Sequence, residues 1–490
     1  MQKKASVFTN YLYSLSYQLL LLVVPLVTMP YLASTIGITN QGTFEVGFSV
    51  VSIFVLLGCI GLNVYGQREI AYYKDDAKKC NSVFWEIELI RVITLSVALA
   101  IYFIFAVVNI NVYQMVSIKE KLYFLLFALE ILASMLDISW YYQGIENFKL
   151  QTVRNFLVKL INLALILIFV KDENDLGLYI FIYCSMNVVG NATLWLDKVK
   201  HGGFVKPRKK CFKPHITKSL LMFLPQVATT VYVYVDKVML GVLVADGNFQ
   251  VGIYGNAEKI VKVALTVVTS LGLVMLSRVA NTYKQNDKQK TNAYIRESFN
   301  LYIFLAVPIM FGIMAIADTF VIRFFGGADG FEQITPVMVL LCPIILFIGG
   351  SNVFGTQYLL PTNRMTPYTL SVFVGMAVNV VLNLCLIPHF NAMGAAFATV
   401  AAEFAVLLVQ MVAVRRDFTV VLYLKCWRNF LAGVVMFFAV FVLHKFVGDS
   451  LAALFVQVCF GAVIYFVVLL LLADPFVKKY LNKLKQKMGM

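Results

Sequence analysis

Fourteen apolar stretches follow one another through the chain, centred near residues 24, 54, 97, 131, 162, 186, 231, 266, 311, 345, 377, 404, 436 and 462. A hydrocarbon core about 30 Å thick takes roughly 20 helical residues to cross. Inside it every backbone donor and acceptor must find a partner, which leaves helices as the structure such stretches can adopt. The expected fold is an all-α integral membrane protein of about 14 transmembrane helices. Composition closes off the soluble alternative, because 60% hydrophobic and 14% charged residues leave too little polar surface to solvate a globule of 490 residues.

The basic residues between these stretches fall on alternate connections. With the N-terminus placed inside, 31 of the 41 Lys and Arg share one side. They are Lys3, Lys4, Arg68, Lys74, Lys78, Lys79, Lys149 and Arg154, eight between Lys198 and Lys218, five from Arg278 to Arg296, then Arg364, Arg415, Arg416, Lys425, Arg428 and five from Lys478 to Lys487. The other side receives Lys119, Lys121, Lys171, Arg323 and Lys445. The positive-inside rule makes the richer side cytoplasmic, and an even number of crossings puts both termini there. Cations at membrane ends meet anionic membrane lipids, so the net charge of +15 calls for no nucleic acid.

One long connection, 197–218, carries eight cations, a Gly pair and two prolines. It divides the chain into an N-terminal six-helix bundle (1–196), a basic cytoplasmic linker (197–218), a C-terminal six-helix bundle (219–414), and transmembrane helices 13 and 14 with a basic tail (415–490). The two bundles share a plan. Asn162, Asn174 and Gly177 recur as Asn379, Asn391 and Gly394 at the same spacing, and FEVG at Phe44 recurs as FQVG at Phe249. Both begin on the cytoplasmic face, so they are expected as parallel pseudo-symmetric repeats with a substrate path between them. Pro25 and Pro225 lie in the first helix of each bundle, where a missing backbone donor allows a gating bend or a static kink.

An ionisable side chain within a span is costly unless it meets water or a partner, so each marks a candidate site. Arg91 and Lys159 lie six or seven residues in from the cytoplasmic end, about 9 Å deep at ~1.5 Å per residue. Glu130 and Asp137 are seven apart on one helical face, placed either to pair with those cations or to meet substrate. In the second bundle Asp236 and Lys237 lie in the seventh span, Glu258, Lys259 and Lys262 begin the eighth, and Glu403 lies in the twelfth, expected near Lys262 and Lys237. Glu258 and Lys262 have the spacing of a helical ion pair. The five cations together predict a cavity that prefers anions such as a lipid diphosphate. Enzymatic chemistry finds little footing: the four His are scattered, no recognised metal spacing or phosphate-cradling glycine loop is present, and no catalytic residue, metal or cofactor is called for.

Three motifs carry a resemblance. LNVYGQREIA (Leu62 to Ala71), SWYYQGIENFK (Ser139 to Lys149) and VDKVMLG (Val235 to Gly241, with Lys237 where Arg is more usual) resemble signatures of the polysaccharide flippases of the multidrug/oligosaccharidyl-lipid/polysaccharide exporter superfamily. The resemblance implies a bacterial inner-membrane transporter, not an enzyme. It implies that the chain flips undecaprenyl-diphosphate-linked oligosaccharide repeat units outward by alternating access, for capsule or O-antigen-type polysaccharide, alongside polysaccharide polymerase machinery. Arg68, Gly144 and Glu146 carry over as motif positions with a topological or gating role. Helices 13 and 14, beyond the twelve spans of many such proteins, read either as a lipid-tail groove or as a packing annex. The rivals are a cation-coupled multidrug exporter of the same superfamily, for which the first span lacks an acidic residue, and a membrane glycosyltransferase or polymerase, which the short outward loops disfavour.

Overall fold

Backbone groups in hydrocarbon must be paired within their own segment, and among the described residues every regular element is helical. The computed structural model describes residues 24–112, 118–207, 212–270, 272–327, 330–418 and 426–479. Lys3, Lys4, the first half of the first expected span, Arg208 to Cys211, Lys425 and the tail from residue 480 lie outside them.

Residues 24–35 are helical. There follow α1 (Gly37–Cys59), α2 (Leu62–Tyr72), α3 (Ala77–Val112), α4 (Ile118–Leu136), the short α5 (Ser139–Gly144), α6 (Phe148–Phe169), α7 (Leu176–Gly202) and α8 (Phe212–Leu243). Next come α9 (Gly247–Thr269), α10 (Gly272–Lys284), α11 (Lys288–Phe324), α12 (Ile334–Leu341) and α13 (Ile344–Ser351). A π-helical turn at Asn352–Leu359 precedes α14 (Met365–Val414), α15 (Trp427–Val447) and α16 (Leu451–Leu471).

Nine helices among the described residues are long and apolar enough to cross a membrane, or eleven when each of two bent pairs is one span. The difference from the fourteen expected has local causes. α14 runs 50 residues through the eleventh and twelfth expected spans, broken by non-helical geometry at Asn391. α9, at the eighth, carries Asn248, Gln250, Asn256, Glu258, Lys259 and Lys262, which lower its hydropathy. The first bent pair is α8, where Phe212–Leu220 meets Met222–Leu243 at 46°. Pro225 lies there, and its nitrogen has no proton for the carbonyl four residues earlier.

The chain forms two compact units, Met1–Gly241 and Val242–Met490. In the first, one core joins α1, α3, α4 and α7 through Phe44, Val51, Leu95, Phe127, Ile131 and Ile180. Small residues let these helices approach: a Cβ on Gly47 would fall 2.2 Å from the Phe127 ring. A second core holds Leu62, Tyr65, Ile70, Phe84, Trp140 and Tyr142, with Phe212 and Ile216 of α8 packed against it. This unit includes nearly all of α8, which the sequence assigned to the second bundle. Gly61 shows how close α8 comes: it has φ +78°, and a Cβ there would lie 2.6 Å from the Ser219 carbonyl oxygen.

In the second unit the two halves of α14 fold back on each other, so that a Cβ on Gly375 would strike Val406 at 2.3 Å. The reversal falls at Pro388 and Asn391 (φ 51°), with Gly394 against the Leu386 carbonyl. Asn174 and Gly177, their sequence counterparts, lie at the turn from α6 into α7, where the Asp172 carboxylate accepts from the Asn174 amide at 2.8 Å. The repeated residues thus mark corresponding reversals in the two units.

Candidate functional site

Two of the sequence motifs pack against each other. α2 and α5 meet through Gly66, whose missing side chain leaves room for the Trp140 ring, and through Gly144, where a Cβ would sit 2.7 Å from Ile70. Beyond the end of α5, exposed Glu146 adopts φ 60° and accepts from Lys74 at 3.0 Å. Tyr142 donates towards the Leu194 carbonyl and the Asp197 carboxylate at 3.0 and 2.9 Å, fastening α5 to α7. Arg68, in the α2 motif, is exposed.

α4 ends at Leu136 and α5 begins at Ser139, so the backbone between them loses its helical partners. Arg91 supplies replacements. It is 0% exposed, and its guanidinium donates to the Ser134 carbonyl at 2.8 Å, the Asp137 carbonyl at 2.9 Å and the Glu88 carboxylate at 2.7 Å. Asp137 in turn accepts from the Ser139 amide at 2.9 Å and from the Ser139 hydroxyl, closing the turn that leads into α5. Depth within a span suggested that Arg91 faces a cavity; instead it braces the break that shapes one.

That break forms one wall of a cavity of about 310 Å³, lined by Asp137, Ser139, Gln151, Arg154, Asn155, Val158, Lys159, Asn187 and Asn191. Residues 151, 154, 155, 158 and 159 follow helical spacing, so α6 presents them as one polar face. Its other face exposes Val153, Phe156, Leu157, Leu160 and Ile161. The cavity side chains are held in place. Arg154 donates to Asn191 at 2.9 Å, Asn191 donates to the Ala133 carbonyl at 2.8 Å, and Asn187 donates to Glu130 at 2.7 Å. The Lys159 ammonium lies 5.4 Å from the centre of the Tyr183 ring. The Gln151 side-chain amide oxygen is buried and has no hydrogen-bond partner among the described residues. Two cations, several amides and an unmet acceptor suit an anionic, hydroxyl-rich guest.

The structure therefore brings together Lys159, Asp137 and, through Asn187, Glu130. Arg154, Gln151, Asn155, Asn187 and Asn191 escaped the sequence reading, which counted Arg154 only as a membrane-end charge. Lys237 lies in another place in this unit: its ammonium bonds the Glu45 carboxylate of α1 at 2.8 Å, with both residues buried, and Gly241 packs against Val46. Glu45 belongs to the FEVG segment, whose only sequence role was to mark the repeat. Asp236 beside it is 2% exposed.

In the second unit Lys262 pairs with Glu258 at 2.6 Å along α9, and Glu403 is buried in α14. A smaller cavity of about 270 Å³ lies beside the π-helical turn, where Ser298 donates to Gln357 at 2.5 Å and Gln357 to Asn352 at 2.9 Å. Among the described residues no group of three His, Cys, Asp or Glu is placed to hold a metal ion.

Comparison with known proteins adds an independent line. The pattern of the Polysaccharide biosynthesis protein family matches residues 7–276, and that of Lipid II flippase MurJ matches residues 192–475. The "Putative O-antigen transporter" of Escherichia coli (strain K12) is 23% identical over 398 residues, covering 80% of this chain and 93% of that protein. The "Probable low-salt glycan biosynthesis flippase Agl15" of Haloferax volcanii is 23% identical over 248 residues, 49% of this chain and 50% of that one. The solved structure "Lipid II flippase MurJ, inward closed conformation" superposes with a TM-score of 0.73 at 14% identity, covering 94% of this chain and 97% of that one. At that identity the structural likeness is one of fold.

Proposed function

We propose that this chain, which belongs to the polysaccharide biosynthesis protein family of the multidrug/oligosaccharidyl-lipid/polysaccharide exporter superfamily, is a transporter that flips lipid-diphosphate-linked oligosaccharides across the bacterial inner membrane. The cavity against α6 supports this reading most directly. An isolated diphosphate meets a prohibitive desolvation cost in hydrocarbon, so its carrier must offer cations and hydrogen bonds at membrane depth. Arg154 and Lys159 supply the charge, and Gln151, Asn155, Asn187 and Asn191 supply donors and acceptors for sugar hydroxyls. The two faces of α6 divide the task, with the polar stripe on the headgroup and the apolar stripe against the lipid that carries the polyprenyl tail.

Alternating exposure of this cavity to the two sides moves the headgroup outward to the leaflet where capsule or O-antigen-type polymer is assembled. Arg91 and Lys237 act through the backbone break and the Glu45 pair, and the Glu258 partner holds Lys262. None of the three touches the headgroup directly in this reading. The rival, a multidrug exporter for cationic compounds, is disfavoured by the two cations on the cavity wall.

The test is flipping of a lipid-linked oligosaccharide in proteoliposomes. Arg154→Ala and Lys159→Ala are each expected to slow flipping by about tenfold, the loss of roughly one charge-assisted hydrogen bond, while membrane insertion and yield stay unchanged. Native rates in both variants would remove the cavity from the export path.

A further inference from the structure

The first unit holds another buried polar cluster, which shares no residue with the cavity. His215, in the first turn of α8, is 7% exposed, and the Glu86 of α3 it meets is 1% exposed. The imidazole Nδ1 lies 2.8 Å from the Tyr65 hydroxyl on α2, and Nε2 lies 3.2 Å from the Glu86 carboxylate. Ser82 donates to the same carboxylate at 3.3 Å. One side chain thus joins three helices in the segment of α8 that precedes its 46° bend.

Both charge states of the ring can bond these neighbours, the protonated one more tightly because its hydrogen bonds are charge-assisted. A neutral imidazole donates from Nε2 to Glu86 and accepts at Nδ1 from Tyr65. A protonated one donates from both nitrogens and places its charge 3.2 Å from the buried Glu86 carboxylate. Burial, followed by the Glu69 carboxylate, holds the Tyr65 phenol far above its ordinary range, so Tyr65 keeps its proton. Among the described residues, Glu69, Arg68 and Tyr73 on α2 and Glu86 on α3 act on the Tyr65 hydroxyl. Lys213 and Lys218 on α8 itself are exposed.

We propose that His215, Tyr65 and Glu86 form a proton-binding site that clamps the first segment of α8 to α2 and α3 while the proton is held and loosens it when the proton leaves. The site lies on a path to the cavity. Tyr65 neighbours Gly66, Gly66 receives the Trp140 ring, and Trp140 adjoins Ser139 on the cavity wall. Its purpose as a coupling device rests on the flippase reading: proton gain and loss at the root of α8 then biases which state of the cavity prevails. Histidine suits the task because its ordinary titration falls between about pH 5 and 8.

Two measurements on the full-length protein in lipid nanodiscs and proteoliposomes separate the claims. The first is hydrogen exchange of residues 212–220, corrected for the intrinsic pH dependence of amide exchange. In the native protein, protection of this segment is expected to fall about tenfold as pH rises through the histidine range, while α7 keeps its protection throughout. His215→Gln, which keeps a hydrogen-bonding side chain but cannot titrate there, is expected to give a flat profile. Should His215→Gln fail to fold, Glu86→Gln, which keeps the imidazole and removes the carboxylate that its charge pairs with, is expected to shrink the pH-dependent change in protection. A flat native profile, or a native-like profile in the folded variant, overturns the proton site.

The second measurement is flipping under an imposed pH gradient. The native rate is expected to change about fivefold with the gradient and the His215→Gln rate not to respond. An equal gradient response in both overturns the coupling role. Absence of any flipping by the native protein defeats the export reading instead, leaving the exchange result to stand by itself.

Discussion

At the scale of single residues, two arginines divide the work around the cavity, Arg91 bracing the break after α4 and Arg154 lining the wall that α6 presents. Position along a span told how deep each lies but not which way it points. Direction depends on where α4 breaks, and Arg91 turns towards the freed carbonyls of Ser134 and Asp137. Arg154 belongs to a stripe that was readable, since Gln151, Arg154, Asn155, Val158 and Lys159 fall on one helical face opposite Asn187 and Asn191. The motif glycines were readable as a signature, though their partners were not. Gly144 has Ile70 at 2.7 Å and the Gln67 carbonyl at 2.8 Å from any added Cβ. Gly144→Ala is therefore expected to destabilise by about 1–3 kcal/mol, the usual cost of overpacking, with Ile70→Ala in the same chain restoring part of the loss. Thermal unfolding in detergent checks this, and a variant as stable as the native protein would show the α2 and α5 contact to be looser than described.

Elements were legible where hydropathy is strong and hidden where partners are remote. α1 and α8 illustrate this: FEVG and VDKVMLG both stood out, yet 192 residues separate Glu45 from the Lys237 it binds. Nothing local signals such a pairing, and the sequence looked instead to Glu403 for the partner of Lys237. The pair also explains why α8 sits in the compact unit of α1 to α7. Removing one partner takes from a buried charge the counter-ion 2.8 Å away, so Lys237→Ala or Glu45→Ala is expected to cost about 3–5 kcal/mol. Lys237→Met combined with Glu45→Met is expected to regain most of that. Unfolding of the single and double variants in parallel decides it: additive losses would mean the two residues act separately.

For the whole molecule, the fold class followed from length and apolar repetition, and the count of crossings was less secure because α14 passes through two expected spans without a connecting loop. Orientation rests on the distribution of Lys and Arg. It predicts that a fluorescent protein fused after Asp287, between α10 and α11, glows in the cytoplasm, whereas alkaline phosphatase is active only when fused after Asp449, between α15 and α16. The reverse outcome at both sites would invert the topology. A final consequence concerns the chamber against α6. At about 310 Å³ it stands at the small end of ligand pockets, which run from about 300 to 1,000 Å³. If it grips the phosphate and the sugar nearest to it, the outer part of the glycan goes uninspected. A cell could then diversify its coat by exchanging the transferases that add distal sugars, and keep the same exporter.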